Sequence, residues 1–197
     1  MRKQERSFYY AIGILIALIA STEEISLNTA KAAQPALRVG MELSYPPFEM
    51  TDTAGRPEGI SVELAKSLGK YLGRTIIIEN IAFDGLIPAL RTGTIDCIIS
   101  SMTSTPERAK AIAFSNPYLK TGLTLLVGRN SPILSPDDIT KTGVRIAVKL
   151  GTSAHKYAAQ QLKDANVFVL DMEAAAVLEV MQGQVDAFIY DSLSVYR

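Results

Sequence analysis

Between Leu37 and Tyr190, short apolar runs alternate with segments of helical period, and this restricts the possible folds more than any other feature of the chain. Leu37 to Met41, Ile95 to Ile99, Leu123 to Val127, Val144 to Val148, Val167 to Leu170 and Val185 to Tyr190 read as strands. The unbroken Ile76-Ile77-Ile78 run suits a strand buried on both faces. Ile60, Leu64, Leu68 and Leu72 recur every four residues, the stripe of an amphipathic helix that Gly73 closes. Phe83 to Leu90 gives a short helix with Pro88 in its first turn. Gly151-Thr152-Ser153 opens a helix reaching about Ala165, and Met172 to Gln182 forms another. Strand and helix alternating in this way build a mostly parallel sheet covered by helices, an α/β fold.

The alternation runs twice. Gly93-Thr94-Ile95-Asp96-Cys97-Ile98-Ile99 is echoed by Gly183-Gln184-Val185-Asp186-Ala187-Phe188-Ile189, and Leu37-Arg38-Val39-Gly40 by Val144-Arg145-Ile146-Ala147. Pro132 and Pro136 mark a break between the halves, with Ser135 capping a short helix through Asp137 and Asp138. Two lobes of one design follow, and a cleft between lobes is a usual place for a small ligand.

In α/β sheets, ligands bind beyond the carboxyl ends of the strands. Ser100-Ser101-Met102-Thr103-Ser104-Thr105-Pro106-Glu107-Arg108 lies just past such an end. Thr105 suits a helix N-cap and Pro106 the first helical position, where the missing N–H costs nothing. Arg108 then falls in the first turn, where the helix dipole disfavours a cation. A carboxylate held there removes the conflict, because a guanidinium meets it through two parallel hydrogen bonds. The same residues also suit a polar surface turn with a solvated arginine. In Tyr45-Pro46-Pro47-Phe48, two prolines stiffen a loop that can hold aromatic faces against a pocket or simply fill the core.

Gly151-Thr152-Ser153 offers N–H groups and hydroxyls to an anion but lacks the pattern of a nucleotide phosphate loop. It also departs from a hydrolase nucleophile elbow, since position 155 is His, and Ser153 and His155, two apart, do not face each other on a helix. Asp191 follows the last strand, placed to meet a ligand ammonium or to cap a helix at Ser192.

Twenty basic and twenty acidic residues cancel, which gives no footprint for nucleic acid. Cys97 is the single cysteine and His155 the single histidine, so neither a disulfide nor a zinc site can be assembled, and no cofactor or metal is expected. Cys97 reads as a buried small hydrophobe. Arg2, Lys3 and Arg6 precede the apolar run Phe8 to Ala20, and Ala30-Lys31-Ala32 has the form of a cleavage site, so residues 1–32 read as an export signal. That apolar run is short for a membrane span, which needs about twenty residues. An uncleaved anchor is the alternative.

Tyr45-Pro46-Pro47-Phe48, Gly59-Ile60-Ser61-Val62-Glu63-Leu64, Phe83 to Leu90, Ile99 to Arg108, Gly151-Thr152-Ser153 and Asp186 to Asp191 together resemble the periplasmic amino-acid-binding proteins of bacterial ABC importers, solute-binding protein family 3. The resemblance spans residues 37 to 191. It implies a two-lobed periplasmic-binding-protein-like fold, with lobe 1 over 33–122 and lobe 2 over 123–197, closing on an amino acid. It implies that Arg108 grips the ligand carboxylate, helped by Ser101, Thr103 and the backbone at Thr152 or Ser153. Asp191 would take the ammonium, and Tyr45 and Phe83 would sandwich the side chain. Glu42 would face its far end, which points to a polar or cationic ligand. The implied setting is a monomer in the periplasm with a membrane permease as partner. Members of that family continue past the Asp191 position and cross back to the first lobe, whereas this chain stops at Arg197. Incomplete lobes and impaired closure are therefore expected. The runner-up is an enzyme on the same scaffold, resembling a periplasmic cyclohexadienyl dehydratase, for which Glu42 is the obvious general-acid candidate. A sensor domain of a larger receptor is a third reading, disfavoured because no second membrane span follows.

Overall fold

Strands β1 (Leu37–Met41), β4 (Ile76–Asn80) and β5 (Cys97–Ile98) form a parallel sheet in the order β4-β1-β5 in the computed structural model, which describes residues 34–195. β2 (Met50–Thr51) and β3 (Pro57–Glu58) make a small antiparallel pair beside it. In the second sheet, β7 (Arg145–Lys149) lies between β8 (Asn166–Leu170) and β9 (Ala187–Asp191), parallel to both. β6 (Leu123–Val127) adds to β9 in antiparallel register. Each sheet thus places the first strand of its half in the middle of a parallel trio, and the fold is α/β with two lobes. The helices are α1 (Ile60–Leu72), α2 (Leu86–Arg91), α3 (Pro106–Ala109), α4 (Ser153–Gln161), α5 (Glu173–Met181) and α6 (Ser192–Val195). Short 3₁₀ turns occupy Phe83–Gly85 and Pro136–Thr140, the latter closed by a capping box between Ser135 and Asp138.

The echo in the sequence is an echo in space. The Arg38 guanidinium donates to Asp96 at 2.9 and 3.2 Å, and the Arg38 N–H to the same carboxylate at 2.8 Å. Arg145 repeats the arrangement on Asp186, at 2.6, 3.3 and 2.8 Å. Each pair ties the start of the central strand to the turn that leads into the third. Gly93 and Gly183 turn the chain at φ 74° and 68°, left-handed values that glycine adopts without a Cβ clash.

Three expectations need correcting. The buried face of α1 is Ser61, Val62, Ala65 and Gly69, while Ile60, Leu64 and Leu72 are exposed. Positions four apart drift by about 40° per step around a helix, so a strict four-residue repeat spirals off the face it starts on. Small residues decide instead, since a Cβ on Gly69 would stand 2.5 Å from Ile76 Cγ1. β4 is not covered on both faces: Ile76 and Ile78 pack on the core, while Ile77 on the opposite face is 44% exposed. α4 ends at Gln161 rather than near Ala165, because Leu162 leaves helical geometry (φ −105°, ψ 63°) and turns its side chain into the core.

In the first lobe, Leu37, Val39 and Met41 pack on Val62 and Ala65, with the half-buried Cys97 beside them. In the second, Ile146, Val148 and Ile189 pack on α4 from one side of the sheet, and Ala147 and Phe188 on α5 from the other. The expected export signal over 1–32 lies outside the described residues. No helix among the described residues is long and apolar enough to cross a membrane.

Candidate functional site

The carboxyl ends of β1, β5, β7 and β9 surround a small cavity of about 20 Å³. Glu42, Tyr45, Phe83, Ser101, Thr103 and Arg108 line it from the first lobe, and Thr152, Ser153 and Asp191 from the second. All nine residues singled out in the sequence therefore meet at one place.

Arg108 is buried, and its guanidinium spans the lobes. Nη1 donates to the Thr103 carbonyl at 2.8 Å and Nη2 to the Gly151 carbonyl at 2.9 Å. Its Cζ lies 5.3 Å from the centroid of the Phe83 ring, a cation–π contact. These contacts use two of five N–H groups and leave donors for an anion. Burial pulls the Arg108 pKa down from its ordinary value, against the opposing charges of Asp191 and Glu107. Thr105 caps α3 as expected, its Oγ1 accepting from the Arg108 N–H at 3.3 Å. The four-residue α3 is too short to carry much of a dipole. An anion held here meets the buried guanidinium itself rather than a helix dipole.

Asp191 ends β9 and accepts from the Tyr45 hydroxyl at 3.5 Å. Burial raises its pKa, while the Tyr45 hydrogen bond and the Arg108 charge pull the other way. The Tyr45 ring stacks on Phe48 at 5.5 Å and meets Tyr190 edge-on at 5.9 Å. Ser100 is buried beside the cavity, and its Oγ accepts from the Glu42 N–H at 2.9 Å. Thr152 Oγ1 donates to the Lys149 carbonyl at 2.7 Å and accepts from the His155 N–H at 3.2 Å, which caps α4. His155 Nδ1 accepts from the Gly151 N–H at 3.2 Å and so braces this turn.

Two buried ionisable residues escaped the sequence reading, Glu49 in the cavity wall and Lys149, which pairs with the wall residue Glu42. Glu49 is 1% exposed, lines the cavity and accepts at Oε2 from Ser61 Oγ (2.5 Å) and Ser101 Oγ (3.1 Å). Tyr45 and Glu49 exchange backbone hydrogen bonds of 2.7 and 3.0 Å, which is how the two-proline loop presents both side chains together. Burial pushes the Glu49 pKa up to about 7, outweighing the two hydroxyls. Lys149, at the end of β7, is 1% exposed and ion-paired with Oε2 of Glu42 across the lobes. A signal for Lys149 existed in the chain. It stands as far after Arg145 as Glu42 stands after Arg38, so the internal echo assigns the two residues equivalent places with opposite charge. Among the described residues, no group of three or more His, Cys, Asp or Glu could hold a metal ion.

The family model of bacterial extracellular solute-binding proteins, family 3, matches residues 37–185. The chain is 32% identical over 186 residues to the L-arginine-binding protein of Pseudomonas aeruginosa, spanning 93% of this chain and 70% of that protein. It is 31% identical over 187 residues to an L-cystine-binding protein of Escherichia coli, covering 91% and 69%. Among solved structures it is similar to an ancestral amino acid-binding protein described as a precursor of cyclohexadienyl dehydratase. That likeness has a TM-score of 0.76 and 40% identity, over 80% of this chain and 70% of that one.

Proposed function

Because the chain belongs to the bacterial extracellular solute-binding proteins, family 3, we propose that it captures one amino acid in the cavity between its lobes and delivers it to the membrane permease of an ABC importer. The observation that carries this reading is the pairing of a buried guanidinium, Arg108, with a half-buried carboxylate, Asp191, from the two lobes of a cavity whose wall also carries hydroxyls, aromatic rings and the carboxylates of Glu42 and Glu49. A free α-amino acid carries a carboxylate and an ammonium on one carbon and matches that pair.

In this reading Arg108 takes the carboxylate, with Ser101, Thr103 and the Thr152–Ser153 turn as further donors, and Asp191 takes the ammonium. Tyr45 and Phe83 form the walls, and Glu42 faces the far end, which suits a polar or cationic side chain. The relatives named for arginine and for cystine support that class. The lobes divide near residue 122, the protein acts as a monomer, and residues 1–32 direct it to the periplasm.

The dehydratase reading draws on the ancestral relative. It needs a general acid above a departing hydroxyl. Glu42 is already ion-paired with Lys149, and Glu49 is enclosed and spoken for by two serine hydroxyls, so binding without chemistry is the better supported function. A thermal-shift screen against the twenty amino acids and prephenate tests both. One amino acid should raise the Tm by several degrees, and prephenate should be neither bound nor turned over. Turnover of prephenate would reverse the choice.

A further inference from the structure

Three carboxylates and one guanidinium line the cavity, Glu42, Glu49 and Asp191 against Arg108. Glu42 is ion-paired with Lys149, and Asp191 accepts from the Tyr45 hydroxyl. Glu49 is the most enclosed of the three. Among the described residues it meets no cation, only the hydroxyls of Ser61 and Ser101. On the amino-acid reading proposed above, the ligand brings an ammonium for Asp191 and a carboxylate for Arg108. Those charges balance, and Glu49 is the acid left over.

We infer that Glu49 couples amino-acid capture to a proton: it is protonated as the ligand carboxylate seats at Ser101 and Arg108, so the protein holds its ligand more tightly in mildly acidic than in alkaline surroundings.

Ser101 is the link. Its hydroxyl carries one proton, which it donates to Oε2 of Glu49 at 3.1 Å. An ionised Glu49 keeps that proton, since a charged acceptor forms the stronger hydrogen bond. The ligand carboxylate then meets a lone pair instead of a donor, with a second buried negative charge one hydroxyl away. Like charges so placed favour protonation of one of them. Oε2 also accepts from Ser61 at 2.5 Å, so the incoming proton goes to Oε1. Neutral Glu49 is the weaker acceptor. The Ser101 hydroxyl can then turn to the ligand while Ser61 still holds Glu49 in place.

The groups around Glu49 leave this titration to Glu49 itself. α1 faces it with Ser61, and the loop beyond β5 with Ser100 and Ser101. Arg108 lines the same cavity but donates to the Thr103 and Gly151 carbonyls. Glu42, just past β1, adds a negative charge that disfavours the ionised form. Tyr45 and Tyr118 face it with phenols that burial raises above their ordinary 10.0, so both stay neutral. Burial already places the Glu49 pKa at about 7. By linkage, a ligand that raises it further binds more weakly as the pH climbs through that value.

The test is calorimetric titration of the unaltered protein and of Glu49→Gln with whichever of the twenty free amino acids raises the Tm most. The Kd of the unaltered protein should rise at least about threefold between about pH 6 and pH 8. Titrations in phosphate and in Tris, buffers of different ionisation enthalpy, should show net proton uptake on binding near neutral pH. Glu49→Gln keeps an acceptor for Ser61 and cannot ionise, so its Kd should stay near the low-pH value of the unaltered protein. Any titration of the amino acid itself is common to both proteins and cancels in the comparison. Parallel profiles overturn the inference and leave the amino-acid site standing. Should the variant fail to fold, the unaltered protein decides, and binding without proton uptake overturns the inference. A Tm raised by none of the twenty overturns the functional reading and this inference together.

Discussion

The Ser101 hydroxyl donates to Oε2 of Glu49 at 3.1 Å from a backbone with φ 49°, the one left-handed non-glycine residue among those described. Such a conformation costs on the order of 1–3 kcal/mol and persists only where the surroundings hold it. Glu49 is part of what holds it, so the loop from Ser100 to Arg108 is shaped by an acid that lies outside the loop.

That acid should make the protein sensitive to pH. Burial raises the Glu49 pKa from its ordinary 4.5 to about 7. An acid raised on folding contributes stability that is complete below its unfolded pKa and is lost as the pH climbs through its folded one. The Tm should therefore fall between pH 5 and pH 8, and fall less in Glu49→Gln. Asp191, also raised by burial, is common to both proteins, so the difference between their melting curves isolates Glu49. Parallel curves would show that Glu49 does not carry the effect.

Arg108→Ala should abolish most amino-acid binding while the circular dichroism spectrum stays native. Removing one partner of a buried charge pair costs on the order of 2–5 kcal/mol, about thirtyfold or more in affinity. The variant also loses the link to the Gly151 carbonyl. Arg108→Lys should bind poorly too, because an ammonium cannot reproduce the planar fork. Calorimetry on both variants gives the answer, and wild-type affinity in either would remove Arg108 from the site.

Gly151→Ala should prop the lobes apart. Gly151 sits at φ +74°, and a Cβ there would lie 2.9 Å from the Asp84 Cβ and 3.1 Å from its Cα. A left-handed alanine costs roughly 1–2 kcal/mol on its own. The clash falls on backbone that cannot swing aside. Reduced affinity together with a larger radius of gyration in small-angle scattering is the expected result. An unchanged radius would place the strain within the turn instead.

Asp96→Asn and Asp186→Asn should each lower the Tm at pH 7. Arg38 hydrogen bonds hold the Asp96 pKa down at about 2, and those from Arg145 lower that of Asp186. For an acid depressed on folding, the stabilisation is present above its unfolded pKa and lost as the pH falls through its folded one. Asp96→Asn should thus approach the parent in Tm as the pH falls through about 2, and Asp186→Asn as it falls through the lowered pKa of Asp186. The loss at neutral pH should be larger at Asp186, whose side chain is 16% exposed against 31% for Asp96. Equal melting curves for all three proteins would count against the pairs as stabilising elements.

The strands and the repeat were legible because they depend on local pattern. Leu37-Arg38-Val39-Gly40 and its echo each mark a central strand, and Asp96 and Asp186 each mark the turn that the arginine grips. The nine cavity residues could be named because they sit beyond strand ends or in motifs of a recognisable family. Glu49 and Lys149 could not be named from pattern alone. An ionisable side chain is buried only by its partners, and theirs lie far along the chain. Serines 61 and 101 enclose Glu49, and Glu42 in the opposite lobe enables the burial of Lys149. The buried face of α1 was hidden for a related reason. Ala65 and Gly69 face the sheet because they are small, and a count of large apolar residues passes over them.

The duplicated arginine–aspartate locks sit at the starts of the central strands, whereas Glu42, Ser101, Lys149 and Asp191 sit at or beyond strand ends. The strand-fastening pairs and the residues proposed to meet the ligand therefore occupy opposite rims of each sheet. A library that randomises the cleft rim can explore new ligands while the rim that fastens the strands keeps its sequence. On the proposed function, the same separation allows ligand preference to change through substitutions at one rim while the rim that fastens the strands is kept.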